Sequence, residues 1–247
     1  MYLYRGENIG NRERLTDTCL RVILSGDSEK IFDILPHIRV LRSNRLLRPL
    51  VELLAKGRLE QKVAAAAALG SLGDPECIAA LRKAYNGTGS PSKRVSGALR
   101  SAIISALGEV PIPDAVQLLG EINRSDEARD SSKSRRTALV IGALGHLAQQ
   151  GVGSAESELI HFLTDEQPAN RALAATELSL SYWHRPDRIS GALLHQLFDL
   201  TCDCSDEVCT AAAAALLSLA KLGNSRAEFL VGHLPLGEPF PLEEERY

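Results

Sequence analysis

The chain has 247 residues, of which 45% are hydrophobic and 24% are charged, an ordinary composition for a globular protein. Aromatic residues make up only 4% and alanine is abundant, which favours closely packed helices over a sheet sandwich rich in β-branched and aromatic residues. The formal net charge of −3 argues against nucleic acid as the main partner, because proteins that bind phosphates usually carry a positive excess.

The first ten residues and the cysteine usage bear on cellular location. Residues 1–10 contain neither the apolar run nor the cleavage pattern of a secretory signal. No stretch reaches the roughly 18 apolar residues that a membrane-spanning helix needs. The five cysteines are an odd number and three lie close together, which disfavours a disulfide framework. We therefore predict no membrane span and a cytoplasmic location.

Residues 1–60 predict helices without a clear repeat. The expected helices cover residues 13–24, 29–41 and 45–56, with a bend near Pro36 because proline removes one backbone hydrogen bond. A terminal repeat needs a more polar outer face than an internal one, so its sequence diverges. We interpret residues 1–60 as an N-terminal cap with a degenerate repeat.

Residues 61–234 contain a recurring alanine-rich pattern whose clearest copy is KVAAAAALGSLGDP at 62–75. Each copy has a leucine at the same place, and these anchor leucines are separated by 38, 37, 34 and 38 residues. A period near 40 residues is typical of repeats made of two helices. About five clear repeats are therefore predicted in one domain continuous with the cap. The anchors are Leu69, Leu107, Leu144, Leu178 and Leu216.

Each predicted repeat divides into two helices. The second helix carries the anchor leucine, and small residues beside the anchor allow a neighbouring helix to approach closely. No segment alternates apolar and polar residues as a strand would, so the predicted fold is an all-α solenoid of stacked helix pairs. The first helices are expected at residues 75–85, 113–123, 155–163, 186–200 and 225–234.

Residues 235–247 cannot continue the helix stack, because they contain three prolines and an acidic run. We interpret this segment as a flexible tail. The alternative is a docking peptide anchored by Phe240 and Leu242.

Cationic residues recur where the second helices begin. They could form a basic stripe along one face that binds an acidic protein surface or an anionic ligand. Alternatively, each is a solvated charge or a local partner of the preceding acidic turn. Because aromatic residues do not alternate with these cations, base recognition is not indicated. The residues are Lys62, Arg94, Arg100, Arg135, Arg136 and Arg171.

The single tryptophan, Trp183, follows Tyr182 where the repeat pattern is weakest. This aromatic pair could cap a shortened turn. It could instead be an exposed contact for a partner, because tryptophan and tyrosine often anchor protein interfaces.

The sequence gives little sign of catalysis or of a cofactor. Cys202, Cys204 and Cys209 have the spacing C-x-C-x4-C, which is not a standard zinc pattern, and Cys209 falls at a position where a small buried residue packs like alanine. None of the six histidines forms a recognisable metal pair or catalytic triad. We predict no catalytic residue, metal or cofactor.

The run ALGSLGDP within residues 64–75 resembles the HEAT-like repeat named after the phycobilisome lyases. The resemblance covers about residues 59–234, most strongly residues 62–85 and 98–122. It implies a right-handed solenoid with the second helices on the concave side. Because it specifies a repeat type rather than an activity, it carries over no catalytic residue.

The resemblance leaves three functional hypotheses. The first is a non-catalytic scaffold or adaptor that binds an acidic protein on its concave face. The second is a bilin chromophore lyase subunit or a phycobiliprotein chaperone, as in some members of the family. The third is a HEAT-like DNA glycosylase, which the slightly acidic charge and the single tryptophan disfavour. The oligomeric state stays open.

Overall fold

A computed structural model describes residues 4–87, 93–124 and 133–234, and the regular secondary structure of these ranges is entirely helical. The chain divides into two compact units, Met1–Glu158 (unit 1) and Leu159–Tyr247 (unit 2). Within each unit, helices that are near one another in the chain pack together. The predicted all-α solenoid of HEAT-like helix pairs is therefore confirmed, whereas the handedness of its superhelix stays a prediction.

Unit 1 begins with four helices joined by short connections. The single bent helix expected over residues 29–41 is instead two helices, separated at Ile34. Pro36 lies in the first turn of the second helix, where the N–H that proline lacks would have no partner within the helix. The helices are α1 (Tyr4–Ser25), α2 (Ser28–Asp33), α3 (Leu35–Leu41) and, after a 3-10 turn at Asn44–Leu46, α4 (Leu47–Lys56).

The regular repeats of unit 1 follow. The helices that carry anchor leucines pack side by side in the order α5, α7 and α9, and α2, α3 and α4 all contact α5. We call the anchor-bearing helices inner helices and the others outer helices. Their bounds are α5 (Leu59–Leu72), α6 (Cys77–Gly87), α7 (Lys93–Gly108), α8 (Pro113–Arg124), α9 (Lys133–Gln149) and α10 (Gly153–Phe162), and the boundary between the units falls within α10.

Glycine beside the anchor leucine brings the inner helices of unit 1 unusually close. A Cβ on Gly70 of α5 would lie 2.7 Å from the Cα of Ala106 in α7. A Cβ on Gly108 of α7 would lie 3.0 Å from the Cα of Ala143 in α9. Because the obstructing atoms belong to backbone, neither position accepts a side chain without moving a helix. The small residues predicted to allow close packing do so at these two junctions.

Unit 2 contains two further inner helices, which pack extensively against each other. The single helix expected over residues 186–200 is divided, because the Ser190 side chain accepts a hydrogen bond from the Leu193 N–H and starts a new helix there. The bounds are α11 (Pro168–Ser181), a 3-10 turn (Pro186–Arg188), α12 (Gly191–Asp199), a 3-10 turn (Leu200–Cys202), α13 (Asp206–Lys221) and α14 (Ser225–Val231).

The anchor leucines form the centre of the core in both units. All five are at most 1% exposed, as expected for residues that close each helix pair onto the next. No helix within residues 4–87, 93–124 and 133–234 is both long and apolar enough to cross a membrane.

Candidate protein-binding surface

The position seven residues before the anchor holds three of the six residues of the predicted basic column, Lys62, Arg100 and Arg171. The Arg100 guanidinium lies over the ring of Tyr85, with its Cζ 5.4 Å from the ring centroid. At the equivalent position in the next repeat, Thr137 donates a hydrogen bond of 3.0 Å to the Asn123 side chain. In α7 and α9 this register position therefore joins the inner helix to the outer helix that precedes it.

Arg171 occupies the same position in α11 and makes the strongest polar contact of unit 2. Its guanidinium donates to both carboxylate oxygens of Asp203, at 2.9 and 2.6 Å, and to the backbone oxygen of Asp165 at 2.8 Å. The two charged side chains are each only 11% exposed. The hydrogen bond from Arg171 lowers the pKa of Asp203, and the Ser205 backbone N–H lowers it further. Arg171 therefore links the turns that precede α11 and α13.

The remaining members of the predicted basic column differ in exposure. Arg136 is buried, which corrects its expected place on a contact face. Arg135 is exposed and Lys62 is half-buried. Arg94 lies in α7, but its side chain falls outside the part of the chain whose side chains the structure describes. Arg171 makes the local contact with the preceding acidic turn that the alternative interpretation predicts, whereas Arg100 contacts Tyr85. A partner-binding role for the members of the column other than Arg136 stays a prediction.

Near their anchor leucines, the inner helices α11 and α13 also have residues that face solvent. Near the anchor of α11 the exposed residues are Thr176 and Leu180, two residues before and two after Leu178. Near the anchor of α13 they are Ala214 and Leu217, two residues before and one after Leu216. Leu180 and Leu217 are each 41% exposed. A solvated helix face normally carries polar residues at such positions. We name Leu180, Leu217 and the adjoining Trp183 the unit 2 face.

The aromatic pair after α11 is divided between two roles. Tyr182 is buried and closes the helix, and its backbone N–H reaches the carbonyl oxygens of Ser179 and Leu180. Its expected place on a contact surface is therefore corrected. Trp183 is 51% exposed, and its backbone N–H donates to the Leu180 carbonyl at 3.2 Å. This bond continues the turn of α11, so the indole follows Leu180 on the exposed side.

Basic side chains follow the residues of the unit 2 face in the chain. His184 and Arg188 are exposed shortly after Trp183, and Lys221 is exposed at the end of α13, one helical turn beyond Leu217. Asp187 is the exposed acid among them. Exposed basic residues are therefore near the unit 2 face in sequence, a signal that the repeat pattern did not reveal because these residues belong to no repeated position.

Two of the three clustered cysteines contact Asp203. The Cys209 thiol donates to the Asp203 backbone oxygen at 3.0 Å, and the exposed Cys204 lies 3.5 Å from its carboxylate. Burial raises the pKa of the Cys209 thiol, and nearby Asp203 raises it further. Among the residues that the structure describes, no three His, Cys, Asp or Glu side chains are grouped as metal ligands.

The stacked helix pairs and their shared anchor positions define an α-solenoid repeat protein. Residues 47–140, from the start of α4 into α9, match the family model described as HEAT repeats. The match and the architecture together support a HEAT-like repeat protein. A search of curated proteins found no match. The narrower resemblance to the phycobilisome-lyase type stays a prediction.

Proposed function

We propose that the chain is a protein-interaction scaffold whose partner binds the unit 2 face. The observation that supports this proposal is the exposure of Leu180, Trp183 and Leu217 on and beside two adjacent inner helices. Apolar side chains grouped at a protein surface mark interaction sites, and tryptophan is among the residues that contribute most to binding. HEAT repeats commonly mediate protein–protein interaction, which agrees with this use of the surface.

The basic residues that follow the unit 2 face in the chain favour an acidic partner. Arg188, His184 and Lys221 would face carboxylates that surround an apolar contact, an arrangement that steers association and weakens as salt is added. The acidic partner predicted from the sequence is thus retained, but we place its contacts mainly in unit 2. Lys62, Arg94 and Arg135 provide the competing location in unit 1.

Affinity capture with matched variants tests this location. The tagged chain, a Leu180→Ser/Leu217→Ser variant and a Leu24→Ser/Val40→Ser control are each used to capture partners from cells that make the protein. Leu24 and Val40 are also exposed apolar residues, but they lie on α1 and α3. We expect a partner that the control retains and the unit 2 variant loses, with weaker capture at high salt.

Two results would contradict the proposal. Equal capture by all three proteins would remove the unit 2 face as the site. Loss of the partner on Arg135→Glu, with the unit 2 variant unaffected, would return the site to the basic residues of unit 1. Melting temperatures of the variants show whether a lost partner reflects lost folding.

The other hypotheses from the sequence rest on the family resemblance. Absorbance spectra of the captured material test a bilin lyase or phycobiliprotein chaperone, because a bound bilin would colour it. Binding to duplex DNA at moderate salt tests the glycosylase. We retain the predicted cytoplasmic location for the scaffold, and a fluorescent fusion in the native cells tests it.

A further inference from the structure

An apolar groove lies between α12 and α14 of unit 2, separate from the unit 2 face. Its volume is about 240 Å³, and Leu194, Leu230 and Phe229 are the large apolar residues of its lining. Leu194 and Leu230 are buried at its base, whereas Phe229 is 66% exposed at its edge. The Phe229 ring lies against the His233 ring, with centroids 4.4 Å apart. A large aromatic side chain is thus held beside an open apolar recess.

Two basic side chains complete the lining of this groove, His195 from α12 and Arg226 from α14. The Arg226 Nη1 lies 3.3 Å from the place that a Cβ on Gly191 would occupy, so the guanidinium reaches across from α14 to α12. Within residues 4–87, 93–124 and 133–234, neither side chain has a hydrogen bond or an ion pair. The groove therefore fits an apolar group that is accompanied by negative charge.

The segment that follows α14 has this chemistry. Residues 235–247 read PLGEPFPLEEERY, in which Phe240 and Leu242 precede Glu243, Glu244 and Glu245. Leu230 lies only four residues before Leu234, and the six residues from Leu234 to Phe240 span up to about 20 Å when extended. The aromatic ring can therefore reach the groove of its own chain. Prolines on both sides of Phe240 restrict the backbone, which lowers the conformational entropy lost on docking.

We propose that residues 235–247 bind the α12–α14 groove of the same chain. Phe240 packs against Leu194, Leu230 and Phe229, and the three glutamates lie beside Arg226 and His195. The segment would thus cover the exposed Phe229 ring. This contact does not depend on the scaffold proposal, because no residue of the unit 2 face takes part in it.

Photo-crosslinking of the full chain tests the proposal. Phe240 is replaced with benzoylphenylalanine, and a second protein carries the same group at Tyr247 as the matched aromatic control. We expect the group at residue 240 to crosslink within the monomer to residues 191–195 or 225–230, several-fold more than the group at residue 247. Crosslinks outside the groove, or equal yields from both positions, would overturn the proposal.

A charge exchange separates specific docking from chance proximity. Arg226→Glu should lower the crosslink yield several-fold, and lysine at positions 243, 244 and 245 should restore it. Unchanged yield in Arg226→Glu would overturn the role of charge. Crosslinks found only in a dimer, and increasing with protein concentration, would overturn docking within one chain in favour of exchange between two copies.

Discussion

The inner helices of the two units use one repeat pattern with different chemistry. In unit 1, Gly70 and Gly108 stand directly after the anchor leucine, and the next helix approaches to backbone contact. In unit 2 the corresponding residues are Ser179 and Leu217. Ser179 is buried and hydrogen-bonded to the Thr176 carbonyl, whereas Leu217 faces solvent. The anchor leucine is thus buried in the core of both units, whereas the residue after it differs from one pair of inner helices to the next.

Other residues near the anchors differ in the same way. Near the anchors of α7 and α9, the exposed Ser105 and the half-buried Ala102 and Gly142 are small or polar, whereas α11 and α13 expose Leu180 and Leu217. The inner helices α5, α7 and α9 of unit 1 therefore pack closely, whereas α11 and α13 of unit 2 leave leucine side chains exposed. The same repeat pattern can therefore support close helix packing in one region and an exposed apolar surface in another.

The largest expected effect concerns the close approach in unit 1. Gly70→Ala places a methyl group against the backbone of Ala106 and should cost about 1–3 kcal/mol in the free energy of unfolding, as overpacking does. Gly142→Ala on α9 is the control, because its Cβ would meet nothing within 4 Å, and it should gain about 0.5–1 kcal/mol from helix propensity. Urea unfolding measures the free energy of unfolding of both variants. Equal effects would show that α5 and α7 are not in backbone contact at Gly70.

The next effect concerns the charged link in unit 2. Asp203→Asn removes the carboxylate that receives both Arg171 hydrogen bonds, so the melting temperature should fall at neutral pH. The folded-state pKa of Asp203 is lowered by Arg171, so its contribution is present above the unfolded-state value of about 3.9 and is lost as the pH falls through the folded-state value. The difference from the native chain should therefore shrink in acid. Asp187→Asn, an exposed aspartate of the same unit, is the control.

The smallest effect is expected in the outer helices of unit 1. Arg82 on α6 and Glu121 on α8 form an ion pair at 2.7 Å, but their side chains are about 40% exposed. Because water screens such a pair, Glu121→Gln should change the free energy of unfolding by at most about 1 kcal/mol. A larger decrease in the free energy of unfolding would mean that contacts between the outer helices contribute substantially to stability.

The sequence predicted the repeat well because anchor leucines and small neighbours follow from helix packing that recurs along the chain. It predicted the site less well, because the direction of a side chain depends on the neighbouring loop. The repeat pattern predicts Arg171 as an exposed cation, but the turn that carries Asp203 lies beside it and binds its guanidinium. Trp183 and Tyr182 are adjacent in sequence, yet the end of α11 buries one and exposes the other. Nothing in their local pattern distinguishes them.

The link made by Arg171 has a consequence for how unit 2 unfolds. In a repeat protein, cooperativity depends on the coupling between neighbours as well as on the stability of each repeat. Arg171 holds the turn before its own helix, at Asp165, and the turn before the next inner helix, at Asp203. If either turn opens, the Arg171 guanidinium loses one of its hydrogen-bond acceptors. Local opening in one helix pair should thus propagate to its neighbour, so that α11 and α13 exchange their amide hydrogens as one cooperative unit.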